Sequence, residues 1–124
     1  MNKLWLVSGA LLGMIGVMLG AFGAHALKSF LESSQRLDTF ETAVKYQFYH
    51  ALALILLGYV AKEFPQKTWL WGGNAMLAGV LIFSGALYLI CFTGIKAFGA
   101  IAPIGGTLLV IGWALIAWTF AKNL

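Results

Sequence analysis

The chain has 124 residues, of which 61% are hydrophobic and only 10% are charged. Eight Lys and Arg residues against four Asp and Glu residues give a net charge of +4. The basic residues stand singly near the ends of apolar stretches, without a patch that could follow a phosphate backbone, so nucleic acid is excluded as a partner. This length and composition indicate a single membrane domain. Cys91 is the only cysteine, which excludes an internal disulfide.

Long charge-free stretches predict an all-α membrane protein, a four-helix transmembrane bundle formed by one domain over residues 1–124. About 20 apolar residues are needed to cross the hydrocarbon core. The predicted spans are about 4–27, 44–62, 69–92 and 97–121. The second span is short, so its helix is expected to begin near Asp38. Its first turns would form an amphipathic interfacial segment between helices 1 and 2, supported by Glu41 and Lys45 at favourable helical spacing.

Glycines in the predicted spans indicate close helix packing. In water a glycine inside a helix costs about 0.5–1 kcal/mol relative to alanine. In a membrane, small residues let helix backbones approach each other. Pro103 also predicts a bend in the fourth helix. The residues assigned to packing are Gly9, Gly13, Gly16, Gly20, Gly23, Gly79, Pro103, Gly105 and Gly106. The first apolar run is longer than the 7–15 residues of a signal peptide, so we expect it to remain as a span.

Tryptophans support the predicted alternation of four spans. Trp5, Trp69, Trp71 and Trp118 would all lie at the membrane face that also holds both termini, as an aromatic belt. Each face would carry four basic residues, so the positive-inside rule alone does not decide the orientation. Acidic residues dilute the positive charge of the non-terminal face. We therefore expect a multi-pass protein of the cell membrane with both termini in the cytoplasm.

Polar residues inside the spans are candidates for a functional site because burying them without partners is costly. Gln47 and His50 lie three residues apart and share a helix face. Estimated depths allow a hydrogen-bonded cluster, and the candidate polar site consists of His25, Tyr46, Gln47, His50, Ser84 and Tyr88. The alternative is that each histidine is a structural or interfacial residue whose hydrogen bonds are satisfied.

No pattern in the chain predicts a catalytic residue, a cofactor or a metal. A metal site needs three or more ligands, and only the two histidines and Glu41 are at hand. Glu41 precedes His50 by nine residues, which directs it to nearly the opposite helix face. There is no phosphate-binding glycine loop, nucleophile elbow or helical HExxH motif.

Four motifs, in order along essentially the whole chain, resemble the domain-of-unknown-function family 423, which also includes the eukaryotic transmembrane protein 256. The resemblance implies a small multi-pass membrane protein and assigns no activity. The motifs are residues 20–27 (GAFGAHAL), Glu41 with residues 46–50 (YQFYH), residues 83–88 (FSGALY) and residues 103–106 (PIGG).

Three functions remain open from the sequence. The first is a non-enzymatic bundle that binds a membrane lipid or small amphiphile, or that supports a complex with further copies or another membrane protein. The second is a small oligomeric transporter or channel component that uses the His/Gln/Tyr polar site. The third, a membrane enzyme with His25 and His50 as acid–base groups, lacks an accompanying nucleophile or metal set.

Overall fold

The structure, a computed structural model, describes all 124 residues and contains helices without any strand. One-turn 3-10 helices, Ala61–Glu63 and Lys96–Ala100, connect the last three α-helices. The α-helices are α1 (Lys3–Ala24), α2 (Lys28–Ser33), α3 (Leu37–Tyr59), α4 (Lys67–Thr93) and α5 (Ala102–Asn123). The all-α prediction is confirmed.

Local sequence signals set several helix boundaries. The Asn2 side chain accepts a hydrogen bond from the Trp5 backbone N–H and so caps α1. Gly94 ends α4 with a φ of 71°, in the left-handed region that glycine adopts without strain. Pro103 lies in the first turn of α5, where its missing N–H interrupts no helical hydrogen bond. The predicted bend at Pro103 is therefore not observed, because the helix begins only at Ala102.

Three helical segments are long and apolar enough to cross a membrane: Lys3–Ala24, Lys67–Thr93 and Lys96–Asn123. α3 is not among them, because polar residues such as Lys45, Gln47 and His50 lower its mean hydropathy. Large side chains such as Leu11, Leu81 and Val110 remain exposed along these segments. An apolar exterior of this kind is suited to lipid and would be a liability in water.

The long helices pack in the order in which they occur in the chain. α1 packs on α3, α3 on α4 and α4 on α5, so α1 and α5 lie at the two ends of a row. The Asn2 N–H donates to the Gly58 carbonyl, and the Gln66 side chain donates to Asn123. These bonds bring both termini and the α3–α4 connection to one end of the molecule, here called the terminal end. α2 and the α4–α5 connection form the opposite end, here called the α2 end.

The main core lies near the terminal end. Trp5 and Trp69 are fully buried in it, beside Leu54 and Met76. Trp71 and Trp118 are 56% exposed at the same end. The four tryptophans thus share one end, as predicted, but only the two exposed ones are placed to anchor a membrane interface. The buried pair fills space between helices instead.

α1 meets α3 through alternate members of its glycine series. A Cβ atom added at Gly9 would lie 2.7 Å from the Ala51 carbonyl oxygen, and one at Gly16 would lie 3.0 Å from the Phe48 ring. Gly23 lies against the Phe40 ring in the same way. Gly13 has nothing within 4 Å, contrary to the packing role predicted for it. The close contact therefore recurs every seven residues, whereas Gly20 meets α3 only at the Val44 side chain, at an ordinary 3.7 Å.

A second glycine contact joins α4 to α5. A Cβ atom at Gly79 would lie 2.9 Å from both the Gly105 carbonyl oxygen and the Leu109 nitrogen. One at Gly105 would overlap the backbone of Phe83. Gly106, by contrast, meets only the Phe83 ring at an ordinary 3.7 Å. The two backbones therefore touch where Gly79 faces Gly105, and again where Gly72 faces Gly112.

Candidate functional site

Gln47 lies buried where three helices meet. Its amide nitrogen donates to the Leu12 carbonyl at 2.8 Å, and its amide oxygen accepts from the Tyr88 hydroxyl at 2.5 Å. Only 2% of Gln47 is exposed. One side chain of α3 thus joins α1 to α4, and both ends of its amide group are occupied.

His50 joins α3 to α5 in a defined tautomer. The Trp113 indole N–H donates to Nε2 of His50 at 3.0 Å, so Nε2 must be the unprotonated, accepting nitrogen. The proton of the neutral ring is then on Nδ1, which donates to the Tyr46 carbonyl at 2.7 Å. Both ring nitrogens are satisfied. A second ring proton would point at the Trp113 N–H and break that hydrogen bond.

Ser84 and Tyr46 lie beside these two hydrogen-bonded groups. The buried Ser84 hydroxyl donates to the Ala43 carbonyl at 2.8 Å, which adds another tie between α4 and α3. The Tyr46 ring is 39% exposed and lies 4.9 Å from the Phe83 ring, centroid to centroid. Tyr46 therefore contributes its backbone carbonyl to His50, while its ring lies at the outer surface.

The structure does not bring His25 to this cluster. α1 ends at Ala24, and His25 is an exposed capping residue on the outer face near Val17 and Phe22. An α-helix turns about 100° per residue, so a side chain two positions after Gly23 points almost away from α3. The other five candidate residues lie along α3 and α4, and Trp113 of α5 completes their contacts.

Sequence reasoning missed Trp113, although one signal pointed to it. It is the only tryptophan in the middle of a long apolar helix, and the other four lie at the terminal end. An indole N–H at such depth needs an acceptor. No group of three His, Cys, Asp or Glu residues in the structure is arranged to hold a metal ion.

A groove of about 350 Å³ opens at the α2 end, between α1, α2 and the start of α3. Its floor is apolar, and its charged side chains are exposed at the rim. The apolar and small lining residues are Gly20, Gly23, Ala24, Leu37, Phe40 and Val44, and the charged ones are Lys28, Glu41 and Lys45. The sequence analysis assigned Gly20 and Gly23 to packing and overlooked the space beside them.

The charges at the rim of this groove are largely unpaired. Lys28 and Glu32 form the single ion pair of the structure, at 3.9 Å, with more than half of each side chain exposed. Such an exposed pair contributes little to stability. Glu41 and Lys45 have no oppositely charged partner within 4.0 Å. The rim therefore offers two ammonium groups and one carboxylate to a ligand.

Comparison with known proteins places this fold in a recognised sequence group. Residues 19–106 match the sequence model of a family described as protein of unknown function (DUF423). The chain is 42% identical to a UPF0382 membrane protein of Staphylococcus aureus (strain bovine RF122 / ET3-1) over 114 residues, 92% of each chain. It is 36% identical to the UPF0382 membrane protein YwdK of Bacillus subtilis (strain 168), over 98% of this chain and 99% of the relative. No solved structure matches the chain.

Proposed function

We propose that this chain, which belongs to the DUF423 family of proteins of unknown function, crosses the membrane four times and binds a lipid or small amphiphile without catalysing a reaction. The observation that carries the proposal is the groove at the α2 end, which combines an apolar floor with a charged rim. A membrane amphiphile has the same division between an apolar tail and a polar head.

The surface of α3 supports its role as a membrane span in addition to the three helices identified above. Its outer face exposes Leu52 and Leu56, at 67% and 63%, between the exposed rings of Tyr49 and Tyr59. The exposed leucines suit contact with lipid chains, and Tyr59, at the end of the helix, suits the interface. Its 23 residues extend about 35 Å in all, and the part from Lys45 to Tyr59 extends about 21 Å, so Lys45 would snorkel to the headgroup region for the helix to cross the hydrocarbon core. The polar Gln47 bonds within the protein, so lipid does not contact its amide group.

The level of the groove supports an amphiphile as its occupant. With α1 and α3 both spanning, the groove lies where α1 ends and α3 begins, at the depth of the headgroups. Lys28 would lie among those headgroups. Phe40 and Val44 lie nearer the start of α3 than Lys45, so Lys45 would reach the headgroups by extending along them toward the N-terminus of the helix. A water-soluble ligand would gain little binding energy from an apolar floor that opens toward lipid.

The hydrogen bonds of the polar cluster support a structural role for it. The amide nitrogen and oxygen of Gln47 and both ring nitrogens of His50 are hydrogen-bonded, and each side chain links α3 to another helix. A proton or solute path needs groups that exchange partners, whereas these hold one arrangement. We therefore propose that the cluster stabilises the packing of α1, α4 and α5 against α3.

A thermal-shift measurement with a matched pair of variants tests the binding proposal. Gly20→Leu would extend a side chain into the groove, because a Cβ atom at Gly20 meets only Val44, at 3.7 Å. Gly13→Leu makes the same exchange on the same helix, in open space. In delipidated detergent solution, we expect added phospholipid to raise the Tm of the wild type and of Gly13→Leu. Ligand at 100 times its Kd would stabilise the fold by about 2.7 kcal/mol.

The rise in Tm should be absent in Gly20→Leu. Equal stabilisation of both variants would show that lipid acts elsewhere on the apolar surface. An unchanged wild-type Tm with every lipid tested would contradict amphiphile binding altogether.

A further inference from the structure

We infer that the groove selects a phospholipid whose headgroup is a singly charged phosphodiester bearing hydroxyl groups, as in phosphatidylglycerol. Lys28 and Lys45 would bind the phosphate, and Glu41 would accept hydrogen bonds from the hydroxyls. This inference rests on the proposed function and adds the headgroup chemistry, which the presence of a groove alone does not supply.

Selectivity must come from the headgroup, because a lipid tail gains little by leaving other tails. Hydrocarbon is as apolar as the floor formed by Leu37, Phe40 and Val44, so the tail contributes packing alone. The charged rim is the part of the groove that differs from the surrounding membrane. Its three charged groups therefore decide which lipid resides there.

Two ammonium groups at the rim call for an anion. A lysine ammonium has three donors and no acceptor, and phosphate oxygens only accept. Lys45 has no carboxylate within 4.0 Å, and Lys28 is 3.9 Å from Glu32 in a pair that is open to solvent. Both lysines are free to bind a phosphate without breaking a buried contact. The three charged residues that line the groove sum to +1, which one phosphodiester neutralises; Glu32, the partner of Lys28, does not line the groove.

Glu41 further restricts which lipid headgroup can bind at the rim. An ionised carboxylate is an acceptor only, so it repels added negative charge and favours headgroups that bring donors. A doubly charged phosphomonoester would face that repulsion. A choline headgroup brings no N–H or O–H donor at all. Glycerol hydroxyls supply donors without removing the net negative charge that the lysines attract.

Native mass spectrometry of the whole protein provides the test. The detergent-solubilised chain is mixed with equal amounts of phosphatidylglycerol, phosphatidylethanolamine, phosphatidylcholine and phosphatidic acid that carry identical acyl chains. We expect phosphatidylglycerol adducts to dominate. Replacing Lys28 or Lys45 by Gln should weaken the binding of phosphatidylglycerol about fivefold for each lysine removed. Lys96→Gln, at the same end but outside the groove, should leave the preference unchanged.

Each other outcome rejects the inference in a distinguishable way. A preference for phosphatidylethanolamine that disappears in Glu41→Gln would identify an ethanolamine site. A preference for phosphatidic acid would show selection by total charge. Adducts without headgroup preference that Gly20→Leu removes would leave the proposed function standing and overturn the headgroup assignment. Adducts that survive in Gly20→Leu would overturn both. Tm values measured without lipid verify that every variant is folded.

Discussion

At the scale of single residues, Gln47 makes two hydrogen bonds that no neighbour in sequence could supply. Interhelical hydrogen bonds in membrane proteins contribute about 0.6 kcal/mol on average. We expect Gln47→Leu and Tyr88→Phe each to lower stability by about 1 kcal/mol, since each leaves a buried polar group without its partner. Denaturation in mixed detergent micelles would measure both. The double variant should lose less than the sum, because the two side chains share one bond. Strictly additive losses would show that the pair is not coupled.

His50 is predicted to remain a neutral ring protonated on Nδ1. Nitrogen NMR of labelled histidine would distinguish this tautomer from the alternative. His50→Phe should shift the indole N–H signal of Trp113 far more than the signals of the other four tryptophans, because only Trp113 donates to the imidazole. Trp113→Phe identifies that signal by its loss. A Trp113 signal insensitive to His50→Phe would contradict the contact.

The residue types of the polar cluster were predictable, but its membership was only partly so. Gln47, His50, Ser84 and Tyr88 stand out in sequence because each is polar within an apolar stretch. His25 has the same property but points away from α3. The face of α1 that packs on α3 is set by Gly9, Gly16 and Gly23. The sequence shows five regularly spaced glycines and does not distinguish these three from the other two.

At the scale of helices, adjacent glycines on α5 should behave differently when replaced by alanine. A methyl group at Gly105 would meet the backbone of Phe83 and Gly79, which cannot rotate aside as a side chain can. Gly105→Ala should cost about 1–3 kcal/mol, the usual range for overpacking. Gly106→Ala meets only an aromatic ring at 3.7 Å and should leave stability unchanged or raise it by up to about 1 kcal/mol, because alanine favours the helix over glycine. Thermal unfolding of the two variants side by side would measure the difference; equal losses would contradict the backbone contact.

Helix boundaries followed from the sequence where a single residue type determined them. Asn2 begins α1 and Gly94 ends α4 for reasons that short-range chemistry supplies. Pro103 was harder to interpret, since proline both bends a helix and begins one. The residues before it form a 3-10 turn, and only that context shows that Pro103 belongs to the first turn of α5.

At the scale of the whole molecule, the proposed topology places the two ends of α3 on opposite sides of the membrane. Asp38→Cys and Lys62→Cys flank α3 at exposed positions, and the native Cys91 is buried, so the wild type measures background labelling. A maleimide that does not cross membranes should label Asp38→Cys in intact cells. It should label Lys62→Cys only after the membrane is opened, because we propose that both termini are cytoplasmic.

The opposite labelling pattern would reverse the orientation and retain the crossing. Labelling of both cysteines from the same side would show that α3 does not span. This experiment is needed because four basic residues at each end leave the orientation weakly determined by sequence. Hydropathy counts Gln47 and His50 of α3 as polar, although both side chains bond within the protein.

The row of helices has a consequence for how the protein is made. Every long helix packs on the long helix synthesised just before it, and α2 only turns the chain between the first two. The helix on which each new segment packs has therefore already been synthesised. The glycine faces of α1 and α4 are each covered by the next long helix in the chain. Two tryptophans make contacts that reach past the immediate neighbour: Trp5 of α1 donates to Asn74 of α4, and Trp113 of α5, the last helix to be synthesised, donates to His50 of α3. The indole–imidazole bond between Trp113 and His50 can therefore form only after α5, the last helix, has been synthesised.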